Sequence, residues 1–118
     1  MRQLALLYGE RSADDPKAYE LVQARQSYPD DAGIAKALGI FNYRRQLYAR
    51  SATLLEEAAR TRKDDPELFY YLGAALQQLN KWRECQSAME RALSLSVSSG
   101  LAEKAKQALA ECSDSATP

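Results

Sequence analysis

The chain repeats itself with a period of 34 residues. Leu38 and Gly39 recur as Leu72 and Gly73, Tyr48 as Trp82, Leu55 as Met89 and Ala58 as Ala92, each pair 34 apart. A fixed period of this size marks a supersecondary unit stacked on copies of itself, because one such unit cannot bury its apolar face alone.

The spacing inside the unit is helical. Tyr48, Ser51, Ala52, Leu55, Ala58 and Ala59 fall on one face of a helix. So do Leu68, Phe69, Leu72, Ala75, Leu76 and Leu79, and again Trp82, Cys85, Ala88, Met89, Ala92 and Leu93. No stretch alternates as an exposed strand would. Three of the four prolines adjoin acidic pairs, at Asp14-Asp15-Pro16, Pro29-Asp30-Asp31 and Asp64-Asp65-Pro66. Aspartate accepts from the free N–H groups of a first helical turn, and proline fits the first helical position, so these clusters read as helix boundaries. The pattern predicts seven helices, about 1–8, 16–28, 32–45, 48–61, 66–79, 81–95 and 100–113. Their short connections favour antiparallel neighbours. Glycine within a helix costs roughly 1 kcal/mol relative to alanine. Gly39 and Gly73 sit at the same phase of two helices, which implies close approach of a second helix. The expected contacts are the small residues Ser51 and Cys85, 12 positions further on.

These residues resemble the tetratricopeptide repeat, a helix–turn–helix unit with the pattern W-x2-L-G-x2-Y, A-x3-F, P. Phe69-x2-Leu72-Gly73-x2-Leu76, then Cys85-x3-Met89 and Ala92, carries one copy. Ala35-x2-Leu38-Gly39-x2-Asn42, then Ser51-x3-Leu55 and Ala58, carries another. In a partial first copy Leu4, Ala5 and Tyr8 fit the first helix, and Leu21, Ala24 and Pro29 the second. Lys17 takes the place of its small residue, with Ala18 one step away, which predicts a local shift. Asn42 departs from the usual tyrosine, and Gln46 stands where a turn glycine is common. The resemblance covers nearly the whole chain. It implies an all-α, right-handed solenoid of about three helix pairs, at 1–31, 32–65 and 66–99. A closing helix at 100–113 is expected to present Leu101, Ala105, Ala108, Leu109 and Cys112 inward, and 114–118 is expected to be disordered. Residues 1–113 would form a single domain.

Composition narrows function. With 16 basic and 16 acidic side chains the formal charge is zero, unlike a dedicated nucleic-acid or anionic-membrane binder. Lys36, Arg44, Arg45 and Arg50, interleaved with Phe41, Tyr43 and Tyr48, superficially suggest RNA binding; the neutral balance argues against it. There is no histidine, the commonest general base and metal ligand. No nucleophile–base constellation recurs, so an enzyme, a cofactor or a metal site is not expected. The acidic pairs lack the spaced oxygens of a calcium loop. No apolar run approaches the ~20 residues of a membrane span. The first residues lack the apolar core of a signal peptide, which fits a cytoplasmic protein if the chain is complete and equally a domain of a longer secreted one. Cys85 and Cys112 read as buried free thiols, with a disulfide as the alternative.

The resemblance also implies a site. Positions 2, 5, 9, 12 and 13 of each repeat usually line the concave face. Carried over, these are Arg2, Leu6 and Glu10, then Lys36, Ile40, Tyr43 and Arg44, then Glu67, Tyr70, Ala74, Gln77 and Gln78. From this set, Arg2, Leu6, Lys36, Ile40, Tyr43, Arg44, Tyr70, Ala74, Gln77 and Gln78 are the expected peptide-binding groove. The partner would be a peptide or helix of another protein. The chaperone-binding subclass grips a terminal carboxylate with lysine, asparagine and arginine. Here Arg2 replaces the first lysine, Leu6 and Ala37 the asparagines, and Glu67 and Tyr71 the last cations, so that clamp is absent. The leading expectation is thus a non-catalytic interaction module or scaffold. The alternatives are a spacer that self-associates end to end through an uncapped first helix, or a regulatory domain attached to an enzyme elsewhere.

Overall fold

The structure is a computed structural model that describes residues 16–95 and 99–116. Within these residues the chain is all helical, with the order α1 (Pro16–Ser27), α2 (Ala32–Arg44), α3 (Tyr48–Ala59), α4 (Pro66–Gln78), α5 (Trp82–Leu95) and α6 (Ser99–Ala116). The expected helix over 1–8 lies outside the described residues. Each helix packs on the next in sequence, and α4 additionally meets α2 and α6. This is the pattern of stacked hairpins, in which first helices line up beside first helices.

Local chemistry sets the boundaries. Asp31 accepts from the Ile34 N–H at 3.0 Å, and Asp65 from the Leu68 N–H at 3.1 Å. Both are N-caps, and Pro66 follows Asp65 at the first helical position. The turns inside the two hairpins are equivalent. Gln46 and Asn80, 34 apart, adopt positive φ of 64° and 62°. Each turn is closed by a backbone bond spanning five residues, from the Leu47 N–H to the Asn42 carbonyl and from the Lys81 N–H to the Leu76 carbonyl, both 2.9 Å.

The core is a continuous seam of small and branched apolar residues, with Leu55, Leu68 and Met89 the largest side chains fully removed from water. The glycines allow the close approach expected of them. A Cβ on Gly39 would come within 2.6 Å of the Leu55 side chain and 3.4 Å of the Ser51 carbonyl oxygen. The Ser51 hydroxyl donates to the Gly39 carbonyl at 2.7 Å. At Gly73 the nearest atoms belong to Met89 and Ala88 rather than to the expected Cys85. The register shift near Lys17 is present: Ala18 is buried and Lys17 exposed.

Two expectations are corrected. Cys85 and Cys112 are not free thiols; they form a disulfide between α5 and α6, with Cα atoms 6.2 Å apart. Cys85 therefore faces α6, which is why it is not among the atoms nearest Gly73. The closing helix also runs to Ala116, past the expected end at 113, so residues 114–116 are helical rather than disordered. Residues 117–118 lie outside the described residues.

The period also relates α6 to α4. Adding 34 to Tyr71 and Ala74 gives Ala105 and Ala108, both buried against the preceding hairpin. Adding 34 to Leu72 and Gly73, which face the second helix of their own hairpin, gives Lys106 and Gln107, both exposed. α6 is a first helix whose partner-facing side has become polar.

Candidate functional site

The first helices α2, α4 and α6 share one face, and its chemistry is aromatic. Tyr43 lies on the last turn of α2, Tyr48 on the first turn of α3, and Tyr70 and Tyr71 on α4. Their rings form a connected edge-to-face series: Tyr48 to Tyr43 at 5.5 Å, Tyr43 to Tyr71 at 5.5 Å, and Tyr71 to Tyr70 at 5.4 Å between centroids. Such pairs gain from the ring quadrupoles beyond the area they bury. All four rings are half-buried. Burial, with the neighbouring phenols, pushes the Tyr43 and Tyr70 hydroxyls above the ordinary phenol range, so both remain neutral donors at physiological pH.

Lys36 and Glu111, which border the series, are already engaged. Lys36 Nζ lies 2.8 Å from Asp65 Oδ2 and 2.9 Å from Glu67 Oε1, tying α2 to the start of α4. Burial by itself would lower the Lys36 pKa; the two carboxylates outweigh it, and the net shift is upward. Burial would likewise raise that of Asp65, but the bonds from Lys36 and the Leu68 N–H bring it below the usual range. At the other end the Gln77 amide donates to Glu111 Oε1 on α6 at 2.8 Å, across one full period.

No family model and no curated protein matches the chain. Solved structures do. A MamA structure, MSR-1 C2, superposes with a TM-score of 0.75 at 25% identity, covering 91% of this chain and 60% of that one. The first TPR of Spaghetti (RPAP3), bound to the HSP90 peptide SRMEEVD, gives 0.76 at 19% identity over 98% of this chain and 95% of that one. The Yersinia enterocolitica type III secretion chaperone SycD, in complex with a peptide of the translocator YopD, gives 0.72 at 17% identity, with 96% and 94% covered. The chain has the tetratricopeptide-repeat fold. It spans about three fifths of the length of four of the MamA chains it matches and 80% of a fifth, the R50E mutant.

Within the tetratricopeptide-repeat frame the expected groove residues separate into groups. Arg2 and Leu6 lie outside the described residues, as does Glu10. Tyr43 and Tyr70 are brought into the aromatic series. Ile40 is half-buried and packed on the core, while Arg44 and Gln78 are exposed. Lys36 is held by two carboxylates, with its side chain only 16% exposed, so it is not a free cation. Ala74 is a correction: it is 5% exposed and belongs to the core. A methyl group is too short to emerge from α4 where α6 packs alongside, whereas its counterpart Ile40 reaches the surface. Gln77 is committed to Glu111.

Tyr48, Tyr71 and Glu111 were not among the expected groove residues. Glu111 had a readable signal, since it stands 34 beyond Gln77 and 68 beyond Tyr43. Tyr71 did not, because its counterpart Ala37 is small and only the packing of α4 on α2 brings its ring to Tyr43. Arg45 lies 4.7 Å above the Phe41 ring.

A cavity of about 670 Å³ lies between α1, α2 and α3, lined by Val22, Leu38, Asn42, Ala49 and Leu54 among others. It shares no residue with the tyrosine series. Asn42 stands at this cavity where Leu76 stands one repeat later, and its amide turns back to the Leu38 carbonyl at 2.9 Å. No described helix is long and apolar enough to cross a membrane.

Proposed function

We propose that this chain is a non-catalytic protein-interaction module that holds a partner's peptide or helix on the shared face of α2, α4 and α6. The observation that carries the reading is the connected series of half-buried rings from Tyr48 to Tyr70. Tyrosine offers a large contact area with few rotatable bonds, so binding orders little that was free, and such residues recur as interface anchors. Two structures of the same fold, those of Spaghetti and SycD, hold peptides. Solenoids commonly bind through an extended face of this kind.

The chemistry disfavours an acidic chaperone tail. Where a carboxylate clamp needs cations, this chain has Glu67, whose side chain is 55% exposed, and Tyr71, whose ring is packed against Tyr43 and Tyr70. An incoming carboxylate would meet like charge at Glu67.

The test is a peptide-display selection on the purified chain and on Tyr43→Ala/Arg44→Glu. Peptides that enrich on the wild type and are lost on the double variant support the reading. No enrichment, or binding indifferent to both changes, overturns it; with concentration-dependent association it would favour a spacer that stacks on other copies.

A further inference from the structure

Resting on that reading, we infer that the tyrosine series recognises a proline-rich segment in the extended polyproline conformation. Three features of the face select this chemistry. First, the rings meet edge to face at 5.4 to 5.5 Å, with interplanar angles of 63°, 73° and 77°. Edge-to-face rings present faces and edges in turn, against which the compact, puckered pyrrolidine ring packs without ordering a flexible side chain. Second, the buried cation beside the series is already held: Lys36 is bound by Asp65 and Glu67, while Glu67 and Glu111 keep their negative charge at the border. An acidic peptide side chain laid here would lose hydration and meet like charge, whereas an uncharged segment incurs neither cost.

The third feature is hydrogen-bond polarity. None of the four tyrosine hydroxyls has a protein hydrogen-bond partner among the described residues, and none is buried without one. These hydroxyls are therefore available to donate to a ligand. A polyproline segment complements them, because its carbonyls have no internal partners and its prolines carry no N–H that needs an acceptor. Its conformation is also pre-set, so docking orders little backbone. An amphipathic helix, by contrast, satisfies its own carbonyls and offers few to phenol donors.

Calorimetric titration of the full chain with a capped decaproline peptide tests the inference. A capped glycine-serine peptide of equal length and a capped amphipathic helical peptide serve as comparisons. Decaproline is expected to saturate one site, to outcompete both comparisons and to be insensitive to added salt. Tyr43→Ala/Tyr71→Ala should weaken it by about tenfold or more. Tyr43→Phe/Tyr71→Phe keeps the rings and the packing, and should weaken it by about threefold through the lost hydroxyls. Absence of saturation, equal binding to the alanine variant with helical content unchanged, or tighter binding of the helical peptide overturns the inference. If the display selection yields face-dependent peptides without proline, the inference falls and the groove reading stands. If nothing face-dependent enriches, both fall.

Discussion

Gln46 has φ of 64°, in the left-handed region that costs an ordinary L-residue roughly 1–2 kcal/mol. Its counterpart Asn80 tolerates the same conformation, at 62°, because asparagine enters that region more readily. Glycine would remove the strain at Gln46 and return about 0.5–1 kcal/mol of it as extra entropy of the unfolded chain. Gln46→Gly should therefore raise stability by about 0.5 kcal/mol, measured by chemical denaturation, while the same change at Asn80 gains less. The Lys36–Asp65 pair makes a pH prediction at the same scale. The Asp65 pKa is lowered in the fold, so its contribution is present at neutral pH and is lost as pH falls through the folded value. The Lys36 pKa is raised, so its contribution holds below the ordinary lysine value and is lost as pH rises through the folded one. Asp65→Asn keeps a competent N-cap and removes only the charge. It should cost about 1–2 kcal/mol at neutral pH. The gap from wild type should close as pH falls below about 4, the ordinary carboxylate range. A gap that persists in acid would place the effect elsewhere.

At the scale of the element, the disulfide decides how firmly α6 is held. In the chain-entropy treatment a bridge across a separation of 27 residues contributes about 3.5 kcal/mol. Such bonds persist in oxidising surroundings and are reduced elsewhere. Reduction, or Cys85→Ala/Cys112→Ala, should lower stability by about that amount and speed amide exchange in α6 ahead of α4 and α5. Unchanged melting under reductant would show that packing alone holds the helix. This bond also depends on more than local sequence. The helices were legible, because caps such as Asp31 and Asp65 and stripes such as Leu68-Leu72-Leu76 are local. The fold followed from the spacing of Gly39 and Gly73. Pairing of Cys85 with Cys112 was not legible, because only the tilt of α6 across α5 decides whether two thiols meet. The site divided in the same way. Tyr43 and Tyr70 could be placed from their repeat positions. Capture of Lys36 by the next helix, burial of Ala74 and the junction made by Tyr71 depend on what a neighbouring helix presents.

Over the whole molecule, a stack of repeats must end somewhere, and how it ends determines whether copies add to one another. A first helix buries one side against the hairpin before it and another against its own second helix. In α4 the latter side is Leu72 and Gly73, both buried; in α6 the same positions are Lys106 and Gln107, both exposed. We propose that these two side chains make this side of α6 a closing face, since an apolar, glycine-flattened edge would accept a further helix. Restoring the internal pattern with Lys106→Leu/Gln107→Gly should leave α6 in place, because Ala105, Ala108 and Cys112 on its inner side are untouched. Sedimentation over a concentration series should then show self-association beyond that of the wild type, with the tyrosine series on its own face still accessible to ligand. If the variant sediments as the wild type does, the polar side of α6 is not what terminates the stack. The bulk of the helix or its extension to Ala116 would then have to be doing so.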